Sequence, residues 1–265
     1  MLTFMARFAQ IQNRLADLLE TKFIPGEKDQ ITQYIYNTSE NILEMHNSGR
    51  YRERDYHLLR LAIFAKHLEE VEEERNEVFE EFRSELKSQT HNEYFGTRFE
   101  VDIAASLIRK DIDFDHPDPP DFDIVNRDCV IECTTSHFSG GDRTPEEKIK
   151  QAIESKSGKS YFDSSNALFI DITNIYFAMA QREKEYSQEY IEEQVEERLD
   201  VFNHDIGSVI LFTYVVDRSA SPPGLHHSYI RVDNSSAEAD LTAFLDSHWP
   251  KEGEHVPETY FPSEP

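Results

Sequence analysis

Two short stretches, PDFDIV and CVIECTT, flank a turn at Asn126-Arg127. Paired as an antiparallel hairpin, they set residue 125 opposite 128, 123 opposite 130 and 121 opposite 132. Side chains alternate across a strand, so both faces can be written out. Phe122, Ile124, Cys129, Ile131 and Cys133 make a wholly apolar face that packs on the core. The other face carries Asp121, Asp123, Val125, Val130, Glu132 and Thr134. Asp121 and Glu132 then stand opposite each other, with Cβ atoms about 5 Å apart. Like charges that close repel unless water or a cation separates them. Two carboxylates on adjacent strands suit a hard divalent ion such as Mg²⁺ or Mn²⁺, which takes oxygen ligands. An exposed acidic sheet face gives the same pair in a chain with 52 acids among 265 residues. Spacing alone leaves both readings open.

The flanking elements add candidates. Before the strands, HNEYFGTRFEVDIAASLIRK reads as a helix with Phe95, Phe99, Ile103 and Leu107 on its apolar face. Glu100 falls beside Leu107 at the edge of that face, where its carboxylate can reach over the sheet. Glu93, seven residues earlier, lies on the same side. Gly96, one turn before Glu100, permits close approach. After the strands, Thr144-Pro145-Glu146-Glu147 is a capping box with Pro at the first helical position. Ile149, Ala152 and Ile153 are the buried side of the helix it opens, and Lys156 shares that side. Lys159 is expected one turn further along the same stripe. From Arg143 to Lys159 there are five bases and three acids, a local basic patch in a chain of net charge −25. An inward Lys156 would position a water or stabilise a phosphate. A stem that only covers apolar surface is the competing reading.

The elements that must position these residues divide the chain in two. Residues 1–90 read as all helix. Phe4, Phe8, Ile11, Leu15 and Leu18 share one face, and Pro25-Gly26 ends that segment. A second helix carries Ile31, Ile35, Ile42 and Met45. A third is expected from Asp55 to about Ser88, near 50 Å if continuous. It holds eight Glu between Glu69 and Glu81, read as a solvated face, and it permits a homodimer through the N-terminal helices. Residues 91–248 read as α/β: strands IDFDH, PDFDIV and CVIECTT, a helix from Pro145, strand ALFIDIT, a charged helix near 178–202, strands SVILFTYVV and SYIRV, and a short helix around Leu241. Residues 249–265 are expected to form a flexible tail.

The order helix with GTRFE, PDFDI, IECTT, helix with IKQAIESK, core strand resembles the PD-(D/E)XK, restriction-endonuclease-like nuclease superfamily over about residues 92–175. The resemblance implies a mixed sheet flanked by helices. It also implies that Asp121 and Glu132 bind Mg²⁺, that the carbonyl of Cys133 is a further ligand, and that Asp123 is the reserve ligand. Glu100 would be the acid of the preceding helix. The third motif position, usually Lys two residues after the Glu, is Thr134 here, and Lys156 on the following helix is the substitute. The implied activity is metal-assisted hydrolysis of phosphodiester bonds, that of a DNA endonuclease in defence or repair. A nuclease-like domain that has lost activity and serves as a binding or assembly module is the alternative, and an unrelated α/β domain with an acidic sheet face is a third reading.

Other signals are weaker. Cys129 and Cys133 lie on the apolar hairpin face and read as core. Two cysteines exclude a disulfide scaffold. The 11 His show no metal-ligand spacing, and His137 lies nearest the acidic pair. Gly140-Gly141 precede the capped helix and could shape a phosphate loop. No apolar run approaches the roughly 20 residues that span a bilayer. The N-terminal pattern is interrupted by Arg7, Arg14 and Asp17, which favours a cytoplasmic protein over a secreted one. The bulk charge weighs against non-specific nucleic-acid binding and implies a narrow, salt-sensitive interface. It also suits a high-salt cytoplasm.

Overall fold

The computed structural model describes residues 4–22, 30–87, 93–117, 119–136, 144–173, 175, 188–201, 205–217, 224–251 and 259–260. Within them the chain is an α/β protein of two compact units, Met1–Asp111 and Ile112–Pro265.

The first unit is helical: α1 (Phe4–Leu18), α2 (Gln30–Asn47), α3 (Tyr51–Glu74), α4 (Asn76–Leu86) and α5 (Glu93–Arg109). The apolar stripes read from the sequence fill its core. Leu15, Ile31, Ile35, Ile42, Leu68, Phe79, Phe82, Ile103 and Leu107 are all buried. The boundary expected near residue 90 falls after Asp111, because α5 packs with the helices. Between α3 and α5, buried Asp102 meets buried His67 Nδ1 at 2.7 Å. The helix expected from Asp55 to Ser88 is not continuous. It starts at Tyr51 and breaks at Arg75, where φ is −143° and ψ is 63°. Like charges four apart, Glu69–Glu73, Glu73–Glu77 and Glu77–Glu81, weaken an unbroken helix through that stretch. Restarting at Asn76 puts Glu77 in a first turn, where the helix dipole favours it.

The second unit holds β1 (Phe114–Asp115), β2 (Phe122–Ile124), β3 (Val130–Thr135), α6 (Pro145–Lys156), β4 (Ala167–Asp171), α7 (Gln188–Val201), β5 (Ser208–Asp217), β6 (Gly224–Asp233), α8 (Ala239–His248) and β7 (Thr259–Tyr260). Its open, mixed sheet runs β1-β2-β3-β4-β5-β6, with β7 beside β5. β3, β4 and β5 are mutually parallel and the other pairs antiparallel. Parallel neighbours need long crossovers, and the connections carrying α6 and α7 supply them. On one face Ile149 and Ile153 of α6 and Ile191, Val195 and Leu199 of α7 cluster with Leu168, Ile170, Val209 and Leu211 of the sheet. On the other, Phe169 packs on Phe212 and Trp249, each at 5.1 Å between ring centroids. Burial on both faces is why β4 opens with the continuous apolar run ALFI before Asp171. The tail expected from residue 249 needs correction. Trp249 is core, and Thr259–Tyr260 pairs with β5 at Val216–Asp217.

One network locks α8 to the sheet. The Arg231 side chain, wholly buried, donates to both Asp233 oxygens at 2.8 and 2.9 Å, to Asp246 and to the Trp249 carbonyl. Burial alone would raise the Asp233 pKa. The hydrogen bonds from Arg231 and Ser208 outweigh it and hold the carboxyl below its ordinary 3.8. The folded value is the lower one, so this stabilisation is present above about pH 3.8 and is lost as pH falls through the folded value. Asp233→Asn is expected to cost about 3 kcal/mol at pH 7. The difference between its urea midpoint and that of wild type is expected to narrow at pH 3.

Candidate active site

The β2–β3 pairing has the register read from the sequence, Phe122↔Ile131 and Asp123↔Val130. The Ile124 amide donates to the Cys129 carbonyl. Alternation down the ladder makes residues 120 and 133 the next bonding pair but one. Pro120 has no N–H to offer the Cys133 carbonyl, and β2 begins only at Phe122. The Cys133 amide donates to Asp121 Oδ2, which holds that carboxylate just before β2, in the register that continues to Glu132.

Glu132 is 2% exposed. Its neighbours across the parallel pairing are apolar, since Glu132 aligns with Leu168 and Thr134 with Ile170. The acidic face of the hairpin therefore runs straight into the core beneath α6. The capping box forms as expected: the Glu147 amide donates to Thr144 Oγ1 and the Thr144 amide to Glu147 Oε2. That fixes the start of α6 and so the position of its last residue. Lys156 points inward and donates directly to Glu132 Oε1. Burial works to lower the Lys156 pKa. The hydrogen bond and charge of Glu132, then the charge of Asp121, prevail and raise it. Lys156 is therefore an ammonium at neutral pH, suited to holding negative charge and unsuited to acting as a base.

Sequence reasoning missed Tyr161. Its hydroxyl donates to the same Glu132 Oε1 at 3.3 Å. Burial and then the Glu132 charge push the phenol up to about 12, so it stays a donor. Buried Asn166 anchors it: Oδ1 accepts from the Val130 amide at 2.8 Å while Nδ2 donates to the Tyr161 carbonyl at 3.3 Å. The signal available in the sequence was weak, an aromatic just past a basic helix end. Glu132 Oε2, also buried, has no hydrogen-bond partner among the described residues.

The other candidates sit differently. Asp123 shares the Asp121 face but is exposed and pairs with Asp115 of β1. Thr134 is half-buried on the Glu132 face. Lys159 is not on the Lys156 stripe: α6 ends at Lys156, Gly158 has φ +75°, and Lys159 is exposed beyond it. Glu100 lies on α5 in the helical unit, half-buried, with Oε1 3.6 Å from where a Cβ on Gly96 would stand. Cys129 and Cys133 are buried free thiols, and burial pushes Cys129 up to about 12. His137, Gly140, Gly141 and Arg143 lie outside the described residues.

Among the described residues, no three or more His, Cys, Asp and Glu side chains gather as a ligand set. Mg²⁺ does not require one. It binds through one or two carboxylates, keeps several waters and takes further oxygens from substrate phosphates. A buried carboxylate oxygen without a hydrogen-bond partner among the described residues, on the same hairpin face as a second, held carboxylate, fits that chemistry. Asp121, Glu132 and the Cys133 carbonyl are the groups that could hold the ion. No described helix is long and apolar enough to cross a membrane. No protein-family model matches the chain, and no curated protein or solved structure matches it either.

Proposed function

We propose that the unit Ile112–Pro265 is a restriction-endonuclease-like domain that hydrolyses phosphodiester bonds of nucleic acid, DNA in the first instance, with Mg²⁺ or Mn²⁺. The observation that carries this reading is Glu132: a buried carboxylate with one oxygen held by Lys156 and Tyr161 and the other without a hydrogen-bond partner among the described residues, on the hairpin face that Asp121 shares. Within that unit the element order β1-β2-β3-α6-β4 follows that of the resembling superfamily, which adds support. Asp121 and Glu132 would hold the ion. When bound, it would polarise the phosphoryl oxygen and lower the pKa of a coordinated water. Lys156, an ammonium beside that site, would stabilise charge growing on the phosphate. Tyr161 would keep Glu132 oriented.

A specific observation favours a second reading, a catalytically degenerate binding module. Thr134 stands where the superfamily usually has Lys, and Lys156 is engaged with Glu132. The test is nicking of supercoiled plasmid and cleavage of single-stranded DNA, with Mg²⁺ or Mn²⁺, over a range of salt. Wild type is expected to nick at low salt and to lose activity steeply as salt rises, because a chain of charge −25 gains little from phosphate contacts outside the site. Asp121→Ala is expected to be inactive. A folded wild type that binds DNA and cuts neither substrate would establish the module instead.

A further inference from the structure

Glu132 and Asp121 bring two negative charges into buried positions, 2% and 7% exposed, and Lys156 returns one positive charge. Lys156 is bonded to one oxygen of Glu132, and the other, Glu132 Oε2, is buried with no hydrogen-bond partner among the described residues. Lys156 also has a way out. Its side chain is 24% exposed, at the last turn of α6 and on a flexible four-carbon stem. Tyr161 donates to the same oxygen as Lys156 and carries no charge. Two donors on one oxygen and, among the described residues, none on the other is an arrangement that needs a reason.

We propose that Lys156 is the resident counter-ion of Glu132: it holds Oε1 while no metal is bound and leaves that oxygen when Glu132 and Asp121 hold a divalent cation. This rests on the metal-binding reading above. An ammonium and a dication on one carboxylate repel at short range in a site poor in water. Lys156 yields because it is the partner with solvent to enter. Tyr161, neutral, stays and keeps the carboxylate in place, which makes it a positioning residue. The released ammonium is then free for a substrate phosphate. Lys156 thus weakens metal binding in the absence of nucleic acid, and the site does not take up cations indiscriminately.

The experiment is a titration with Mn²⁺ alone, without nucleic acid, with free ion followed by electron paramagnetic resonance. Lys156→Gln is expected to bind Mn²⁺ about tenfold tighter than wild type, the size of one relieved charge repulsion at a half-buried site. Lys156→Arg keeps the charge and is expected to bind as wild type does. A second measurement uses the unmodified chain. Acetylation of Lys156 by an active ester, read by peptide mass spectrometry, is expected to accelerate severalfold on saturation with Mn²⁺, while exposed Lys159 serves as the unchanged reference. Equal or weaker binding by Lys156→Gln, or an unchanged Lys156 acetylation rate at saturation, overturns the counter-ion role while Glu132-dependent Mn²⁺ binding by wild type leaves the metal site standing. No binding by either protein that Glu132→Gln removes overturns both.

Discussion

Glu132→Gln is expected to lower Mg²⁺-dependent nicking of supercoiled plasmid by on the order of a thousandfold, the scale of losing a group that fixes charge in a transition state. The substitution keeps the shape of the side chain and removes its charge. The amide oxygen can still accept from Lys156 and Tyr161 at the Oε1 position. The amide nitrogen then takes the place of Oε2, a buried oxygen that no donor reaches among the described residues. Losing the charge that Lys156 pairs with costs about 1–3 kcal/mol, which lowers the urea midpoint without abolishing the fold. The two readouts separate. A catalytic role requires activity to collapse while most molecules remain folded. Nicking within tenfold of wild type, in protein shown to be folded, would remove Glu132 from the chemistry and with it the proposed function. Initial rates and urea unfolding on the same preparation decide it.

The parts of this site that were legible in the sequence were those fixed by local rules. The hairpin register follows from where the chain turns and from alternation, so 122↔131 and 123↔130 could be written down in advance. The start of α6 follows from Thr144, Pro145 and Glu147, and counting along the helix from Ile149 and Ile153 puts Lys156 on the inward side. What was not legible depends on partners distant in the chain. Asn166 reaches from one strand connection to Val130 and to the Tyr161 carbonyl, and no local pattern announces that. The burial of Glu132 is likewise set by β4 and α6, which pack Leu168, Ile170, Ile149 and Ile153 along the face that a hairpin alone would leave open. Lys159 was misplaced because the helix period was carried past Gly158, where positive φ ends it. The break at Arg75 was missed for a related reason: the apolar stripe runs on through Phe79 and Phe82, while the helix axis does not. Pattern reports which side of an element is apolar more reliably than it reports where the element stops.

Gly207→Ala is expected to produce the largest loss of stability in the sheet unit, about 3 kcal/mol or more. Gly207 is buried immediately before β5. A Cβ there would lie 2.2 Å from the Ser164 carbonyl oxygen, 2.5 Å from Leu241 Cδ2 and 2.8 Å from the Ser164 carbonyl carbon. Backbone must move, and it is tied on every side. The Gly207 amide donates to the Asn166 carbonyl at 3.0 Å, its own carbonyl accepts from Asn234 at 2.9 Å, and the Ser164 carbonyl accepts from the Glu238 amide at 3.0 Å. Leu241 is itself core. Gly158→Ala is the control. There φ is +75° with nothing within 4 Å of the added carbon, so only the conformational penalty of about 1 kcal/mol applies. The single tryptophan, Trp249, is buried against Phe169 in this unit, so its fluorescence in urea reports the transition directly. The strain also has a route to the chemistry. Asn166 bonds Gly207 through its carbonyl and the Tyr161 loop through its side chain, so a displaced residue 207 pulls on the donor that orients Glu132. Gly207→Ala protein that remains folded is therefore expected to nick more slowly than Gly158→Ala protein. Equal midpoints for the two variants would mean that the backbone at Ser164 gives way freely, and that route would be closed.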